Sequence, residues 1–440
     1  MPFEPGEFRA PVEAVANSPR KLPVHAPMNQ FTAVNGELAV GGCSLTQLAE
    51  RAGQTPFYVY DQSLIRHRVE ALRRDLPVGI HLHYAMKANP LPAVVALLAQ
   101  GNAALDGIDV ASGGELAVAL AQGADPQHIS FAGPGKREAE LRLAVQAGIL
   151  LNAESAREVA ALALISLSLG KPARVALRVN PDFELKASGM KMGGGAKPFG
   201  IDVNQIPGAL AQIAATAGGL QFEGFQIFAG SQSLNSQAIV QAQQNSYALA
   251  LRLAAQAAHF GLKVKTLNLG GGFVIPYFPG ETRLELAPIA ANLQNLLTSA
   301  KTELPQAQLV LELGRYLVGE AGLYVTRVVD RKVSAGQVFL VVDGGMHHHL
   351  AASGNFGQVV RKNYPVTVSH RVGNRIDSAQ RERASVVGPL CTPLDLLADR
   401  MELPVAQVGD FVVVYQSGAY GLCASPRGFL GHPDCVELLV

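Results

Sequence analysis

"HLHYAMKANP", residues 81–90, is an apolar run that ends on a lysine just before Asn89-Pro90 breaks the chain. Lys87 is the only charge close to that point. A lysine taken at random is a surface residue, because lysines are almost never fully buried. Whether this one differs depends on what stands at the equivalent points of the chain.

Those points recur. From about residue 57, short β-rich runs alternate with alanine-rich helical stretches. Strand patterns fall at 79–86, 107–110, 128–133, 148–153, 174–180, 222–230, 264–272 and 309–314. Between them lie helical patterns such as "LPAVVALLAQG" (91–101), "GGELAVALAQG" (113–123), "KREAELRLAVQAG" (136–148) and the long run at 236–261. Several close on glycine, as helix C-termini prefer. Eight strands alternating with helices predict an α/β fold, a (β/α)8 TIM-like barrel. An open doubly wound sheet gives the same alternation and needs a crevice where strand order reverses, which no sequence displays. After "LELGRYLVGEAG" the strands at 323–332, 337–345, 365–372, 384–390, 410–418 and 434–440 lack full helices between them, which predicts an all-β C-terminal domain. "FTAVNGELAVGGCSL" (31–45) carries an Asn-Gly hairpin signal and is expected to add strands to that domain. The expected organisation is a flexible N-terminal arm (1–28), strands joining the β domain (29–55), the barrel (56–315) and the β domain (316–440).

Composition sets outer limits. The 440 residues suffice for two or three domains, and 48% hydrophobic content supports a large core. A net charge of +1 with 16% charged residues argues against an electrostatic nucleic-acid binder. No run of about 18 apolar residues occurs, so no membrane partner is expected. The opening "MPFEPGEFRAPVEAVANSPRKLP" has no apolar stretch after a basic start, so no secretory signal is read. Cys43, Cys391, Cys423 and Cys435 make no CxxC pair and are expected as free thiols in a reducing, cytoplasmic compartment. His347, His348 and His349 are adjacent and cannot all face one point on a regular element, which favours a loop or strand edge over a metal site.

In a (β/α)8 barrel the chemistry sits on the loops after the strands. Read in order, those loops carry Lys87, Asn89 and Pro90; Asp109, Ser112 and Glu115; "GPGK" (133–136); Asn152 and Glu154; Asn180 and Pro181; Ser231 and Gln232; Gly270, Gly271 and Gly272; and Glu312, Gly314 and Arg315. Lys87 therefore shares one mouth with Glu312, Arg315 and a triglycine loop. Three glycines offer backbone amides to an anion without side-chain obstruction, although glycine also serves close packing. Phosphate sites of such barrels favour the loops after strands seven and eight. Arg315 can give a forked contact to phosphate. A lysine among apolar neighbours can lose its proton and form an imine with an aldehyde. A carboxylate facing a pyridine nitrogen keeps that nitrogen protonated. Phosphate, aldehyde and pyridine together describe pyridoxal 5′-phosphate (PLP).

Seven motifs carry a resemblance: "TPFYVYD", "HYAMKANP", "DVASGGEL", "NLGGGF", "ELGRYLVGEAG", "GPLCTPLD" and "SGAYG". In this order they resemble the alanine-racemase-like (fold type III) PLP-dependent decarboxylases. That group includes the diaminopimelate, ornithine and arginine decarboxylases, the diaminopimelate branch being nearest. The resemblance runs from about residue 30 to the C-terminus and implies a PLP barrel plus a C-terminal β domain. It implies Lys87 as the Schiff-base lysine and Glu312 as the partner of the pyridine nitrogen. Gly270, Gly271, Gly272, Arg315, Ser231 and Tyr420 would hold the phosphate, with Asp109 and Gly314 completing the cofactor set. Cys391 would return a proton to the substrate carbon after CO2 leaves. Cys391 and Asp395 would come from the other subunit of a homodimer. Taken alone, Cys391 reads as a buried structural thiol, since free cysteine is among the most buried residues.

The departures from the family concern specificity. Phe228, in "GFQIFAGSQ", stands where the family has a histidine that stacks on the PLP ring. Leu313 replaces a proline in "ELGR". Thr392 stands where an acidic residue binds the substrate's distal amine, and "VDGGMHHHLAASG" offers histidines and Ala351-Ala352 where the diaminopimelate branch has an arginine. The expected substrate is an amino acid, with a free diaminopimelate or ornithine in doubt. The "GPLCTPLD" and "IFAGSQ" stretches resemble decarboxylases of biosynthetic clusters, some acting on an aminoacyl group tethered to a carrier protein and some associated with exopolysaccharide or exosortase genes. A racemase on the same barrel and a non-catalytic PLP-barrel binding protein are the other readings. Racemases of this fold lack "GPLCTPLD", and a non-catalytic relative is expected to lose motif residues that are all present here.

Overall fold

A computed structural model describes residues 23–183, 190–191, 193–228, 230–231, 233–369 and 380–440. Its central strands are β1 (Ile80–Ala85), β2 (Gly107–Val110), β3 (Ile129–Phe131), β4 (Leu150–Ala153), β5 (Ala173–Asn180), β6 (Leu220–Ile227), β7 (Thr266–Asn268) and β8 (Gln308–Leu313). They are short, apolar and buried along most of their length, as parallel strands covered by helices must be. Each pairs in parallel with its neighbour in chain order, and β8 pairs back onto β1. The sheet therefore closes into a (β/α)8 barrel, and the open-sheet alternative is excluded.

Helix starts lie at the ends of strands, so their caps help shape the loops there. Ser112 Oγ accepts the Glu115 amide at 3.1 Å, opening the helix Gly113–Ala121 straight after β2. Ser155 does the same for Glu158, also at 3.1 Å, after β4. Such caps satisfy amides that have no partner within the helix.

The second domain holds β9 (Gly322–Ser334), β10 (Gln337–Val342), β11 (Val366–Ser369), β12 (Arg381–Val387), β13 (Leu396–Pro404), β14 (Phe411–Val414) and β15 (Val436–Leu439). Their order across the sheet is β11–β14–β9–β10–β12–β13. The strand Phe57–Tyr60 pairs antiparallel with β9 and parallel with β15. It thus lies in the β domain's sheet, although the boundary drawn at residue 56 assigns it to the barrel. The hairpin also differs from expectation. Thr32–Val34, Glu37–Val40 and Cys43–Ser44 hydrogen-bond to one another in a separate three-stranded sheet, turning at Asn35-Gly36. They meet the β domain through side chains, with Phe31, Val40, Leu45 and Leu48 packed on Phe57, Val59, Leu323, Val325, Phe411 and Val413. Apolar burial, not edge pairing, holds them. Of the expected arm, residues 1–22 lie outside the described residues. From residue 23 on it is fastened, with the Val24 carbonyl accepting the Gly280 amide at 2.9 Å and His25 Nε2 2.8 Å from the Asn363 carbonyl.

His347, His348 and His349 occupy a turn after β10, as a loop position requires, but all three are buried. His349 Nδ1 accepts the Ala352 amide at 3.2 Å, so Nε2 carries the proton toward Ser417 Oγ at 3.0 Å. Burial pushes this imidazole down from 6.5 to about 3. The unfolded chain therefore binds a proton that the folded one refuses, and stability falls as pH drops below 6.5. At about 1.4 kcal/mol per pH unit, His349 alone costs about 2 kcal/mol on going to pH 5. Denaturant midpoints at neutral and acidic pH measure this, and His349→Gln should flatten the difference by that amount.

Candidate active site

The strand register assembles the site. Asp109 is paired with Ser130, Arg178 with Gln226, Gln226 with Asn268, and Glu312 with His83. Two residues along a strand return to the same face. Following pair to pair, His83, Asp109, Ser130, Asn152, Arg178, Gln226, Asn268 and Glu312 all fall on one face, one from each barrel strand. Their hydrogen bonds show that this face is the barrel interior. Ser130 Oγ donates to Asp109 Oδ1, which also lies 3.1 Å from His83 Nδ1. Asn152 Nδ2 reaches Ser130 Oγ at 3.4 Å. Gln226 Nε2 donates to Glu312 Oε1, as does Asn268 Nδ2 at 2.6 Å. Arg178 pairs with Glu154 at 2.7 Å.

Two carboxyls meet in this ring. Burial, then the charge of Asp109, push Glu312 up to about 7, against the opposing pull of Lys87, the Gln226 hydrogen bond and Arg178. Both described donors to Glu312 go to Oε1. Asp109 Oδ2 is buried with no partner among the described residues.

Lys87 stands above the ring on the one-turn helix Met86–Ala88, its side chain exposed between buried Met86 and Ala88. Asn89 explains the break that follows. Its side chain accepts the Leu91 amide at 3.1 Å and donates to the Gly418 carbonyl at 3.1 Å, while its own carbonyl accepts Tyr84 Oη at 2.8 Å. The Tyr420 amide donates to the Ala88 carbonyl at 2.7 Å. The lysine turn is thus clamped between β1 and the 418–420 loop of the second domain. Cys423 Sγ faces the Lys87 carbonyl at 3.7 Å.

The triglycine loop is glycine for close packing as well as for access. A Cβ on Gly271 would run into the Glu312 carbonyl oxygen, and one on Gly270 into the Phe228 ring. Gly270 and Gly272 both have left-handed φ, at 68° and 86°. Phe228 therefore packs against the loop. Gly314 lets the end of β8 pass within 3.0 Å of the Ala85 carbonyl at the end of β1, measured from where its Cβ would stand. Arg315 follows, its guanidinium 4.7 Å from the centre of the Tyr420 ring and 5.4 Å from that of Tyr277. The Ser231 side chain lies outside the described residues.

Not every expected residue is at this mouth. Cys391 is exposed, not buried, on the loop between β12 and β13. Thr392 Oγ1 accepts the Leu394 amide at 3.3 Å and no other described donor. Asp395, expected at the substrate, is turned inward instead. Its Oδ1 accepts the Met346 amide at 2.6 Å and its Oδ2 the Leu390 amide at 2.8 Å, so both oxygens brace two loops against each other. No hydrogen bond among the described residues joins this loop to the barrel mouth.

The arrangement fits PLP. The loop of Gly270 to Gly272 approaches Glu312 where no side chain could, a raised buried carboxyl faces the barrel's interior, and an exposed amine stands over it. A closed barrel with these groups at one mouth defines a barrel-type PLP enzyme. A family model for the pyridoxal-dependent decarboxylase, pyridoxal binding domain, matches residues 62–319. The sequence is 38% identical over 402 residues to the L-glutamyl-[BtrI acyl-carrier protein] decarboxylase of Niallia circulans, covering 90% of each chain. It is 34% identical over 412 residues to the diaminopimelate decarboxylase of Aquifex aeolicus, covering 92% of this chain and 91% of that one. The crystal structure of AQ1208 from Aquifex aeolicus superposes with a TM-score of 0.78 at 32% identity, covering 93% and 92% of the two chains. Diaminopimelate decarboxylase from Helicobacter pylori, complexed with L-lysine, superposes with a TM-score of 0.77 at 27% identity, covering 90% and 94%. The chain belongs to the pyridoxal-dependent decarboxylases. It is a PLP-dependent carboxy-lyase.

Proposed function

We propose that this decarboxylase removes the α-carboxyl of an amino acid whose distal end is neutral and tethered to a carrier protein. One observation carries the reading. A cavity of about 420 Å³ opens beside Arg315 and Tyr420 and runs past Ala351 to Gln358 and Lys362. Ala351 leaves room where a larger side chain would fill the space. Lys362 lies 5.5 Å from the centre of the Phe278 ring, and no ion pair among the described residues involves it. The one acid in the lining, Glu281, accepts the Tyr277 and Phe278 amides on Oε2 at 2.8 and 2.9 Å. A distal ammonium would meet the like charge of Lys362 there, Arg315 being taken up by the phosphate. A thioester-linked chain would not, and the carrier-protein substrate in the name of the Niallia circulans relative agrees with this.

PLP, when bound, supplies the electron sink for loss of CO2 from the α-carbon. The amides of Gly270 to Gly272, with Arg315, Ser231 and Tyr420, hold its phosphate. Glu312 holds the proton of the ring nitrogen, and Asp109 sets how firmly. Phe228, packed on Gly270, would line the cofactor's site beside the triglycine loop. Lys87 Nζ would hold the aldehyde carbon. Cys391 Sγ returns a proton to the carbon that lost CO2. Its exposed loop makes no described hydrogen bond to the mouth of its own chain, so we assign it, with Thr392, to the mouth of a second copy in a homodimer. Asp395 acts from behind by bracing that loop. Mixing Lys87→Ala with Cys391→Ala should then restore activity to at most about a quarter of wild type, through the intact site of mixed dimers. Four free thiols suit a reducing compartment, and we place the enzyme in the cytoplasm. Among the described residues no helix is long and apolar enough to cross a membrane.

The substrate reading is tested by CO2 release from lysine, ornithine, diaminopimelate, glutamate and carrier-bound glutamyl groups. An ammonium left unpaired in a dry site costs several kcal/mol, and about 1.4 kcal/mol is a tenfold rate change. Turnover of lysine and ornithine should fall at least about a hundredfold below that of the carrier-bound group. Thr392→Glu or Lys362→Glu should narrow that gap by about tenfold. Wild-type turnover of ornithine on a par with a carrier-bound substrate would sink the reading while leaving the PLP assignment intact.

A further inference from the structure

At the end of the barrel opposite Lys87, a cavity of about 430 Å³ is lined by His81, His83, His128, Arg174, Glu223, Lys265 and the starts of several strands. His83 belongs to both ends. Its ring borders this cavity, and its Nδ1 lies 3.1 Å from Asp109 Oδ1. Gly107 is glycine to admit it, since a Cβ there would strike His83 Nε2 and the His128 carbonyl. We propose that His83 is a positioning residue for the cofactor's acid: as the counter-cation of Asp109, it allows Glu312 to stay ionised opposite the ring nitrogen.

The physical case is charge balance. Two carboxylates in one buried barrel cannot both ionise without compensation. Arg178 is committed to Glu154, and Lys87 is the group that must become neutral to react. Ser130 and Asn152 are neutral, as are Gln226 and Asn268 around Glu312. His83 is the remaining interior cation, with Asp109, Glu312, Asp106 and His81 as the charged or titratable groups facing it. Burial opposes its charge, but Asp109, through charge and hydrogen bond, and then Glu312 and Asp106, hold the imidazole above its ordinary value. Without that charge, Asp109 would bear on Glu312 unopposed and Glu312 would keep its proton to higher pH.

The inference rests on Glu312 serving the ring nitrogen, and the test separates the two claims. PLP affinity is measured by absorbance from about pH 5 to about pH 9, across the range where such groups titrate. In His83→Asn the amide still donates to Asp109 but carries no charge, and the inflection should move up by about one pH unit, a tenfold change in the proton equilibrium. His83→Arg keeps the charge, with the cavity below to receive the longer side chain, and should stay at the wild-type inflection. The double variant His83→Asn/Asp109→Asn should return toward it. If His83→Asn leaves the inflection unmoved while Glu312→Gln removes it, or if His83→Asn and His83→Arg move it alike, the inference is overturned. If Glu312→Gln leaves it unmoved, the Glu312 assignment fails and the inference falls with it.

Discussion

Replacing Lys87 by alanine should lower decarboxylation at least about a thousandfold and abolish the absorbance of lysine-bound cofactor. The magnitude follows from two roles on one nitrogen. In the proposed mechanism Nζ both holds the aldehyde and serves as a base once released. Its charge is also one of the forces lowering Glu312, so its loss drives that carboxyl further toward the neutral form. The fold should survive, because the side chain is exposed and the turn is held by Asn89, Tyr84 and the Tyr420 amide. Equal melting temperatures with activity gone would complete the argument. A Lys87→Ala protein that kept the absorbance and normal turnover would overturn the assignment.

Glu312→Gln should cost about a hundred- to a thousandfold in kcat, with a smaller change in KM. Glutamine keeps the shape, and its carbonyl oxygen can still accept from Gln226 and Asn268. It cannot hold a negative charge against the ring nitrogen. Stability should move the other way. Glu312 is raised to about 7 in the fold against 4.5 in the reference state, so the folded protein retains a proton that the unfolded chain gives up. Stability from this group therefore declines as pH rises between those values. The neutral amide removes the repulsion with Asp109, so the variant should be no less stable at neutral pH and more stable at alkaline pH. Thermal denaturation across pH reads this directly, and a variant that lost stability along with activity would point to a packing role.

Much of this architecture is legible in the sequence because it is local. Parallel strands such as β1 and β8 announce themselves as short apolar runs ending in glycine, asparagine or proline, and helix starts as Ser112 and Ser155. The mouth residues Lys87, Glu312 and Arg315 follow from the rule that barrel loops after strands carry the chemistry. The interior ring is harder to see. His83, Arg178, Gln226 and Asn268 lie in strand runs that carry other polar residues as well, and only the register reveals that they share a face with Asn152. Asp395 misleads in the other direction, because a motif aspartate reads as a substrate contact until its two backbone amides are seen. Lys362 could not be found at all, since it reaches the cavity from a loop whose path depends on packing between domains.

The loop braced by Asp395 has a consequence for how such enzymes diversify. Asp395 ties Met346 to Leu390, and Asn355 Nδ2 donates to the Leu394 carbonyl at 3.2 Å. The segment that carries Ala351, Gln358 and Lys362 is thereby fastened to the loop that carries Cys391 and Thr392, outside the barrel that holds Lys87 and Glu312. The residues proposed to choose the substrate and the barrel residues Lys87 and Glu312 are thus on separate stretches of chain. A lineage can rewrite the first by drift or by exchange of residues 344–362 and leave the second untouched.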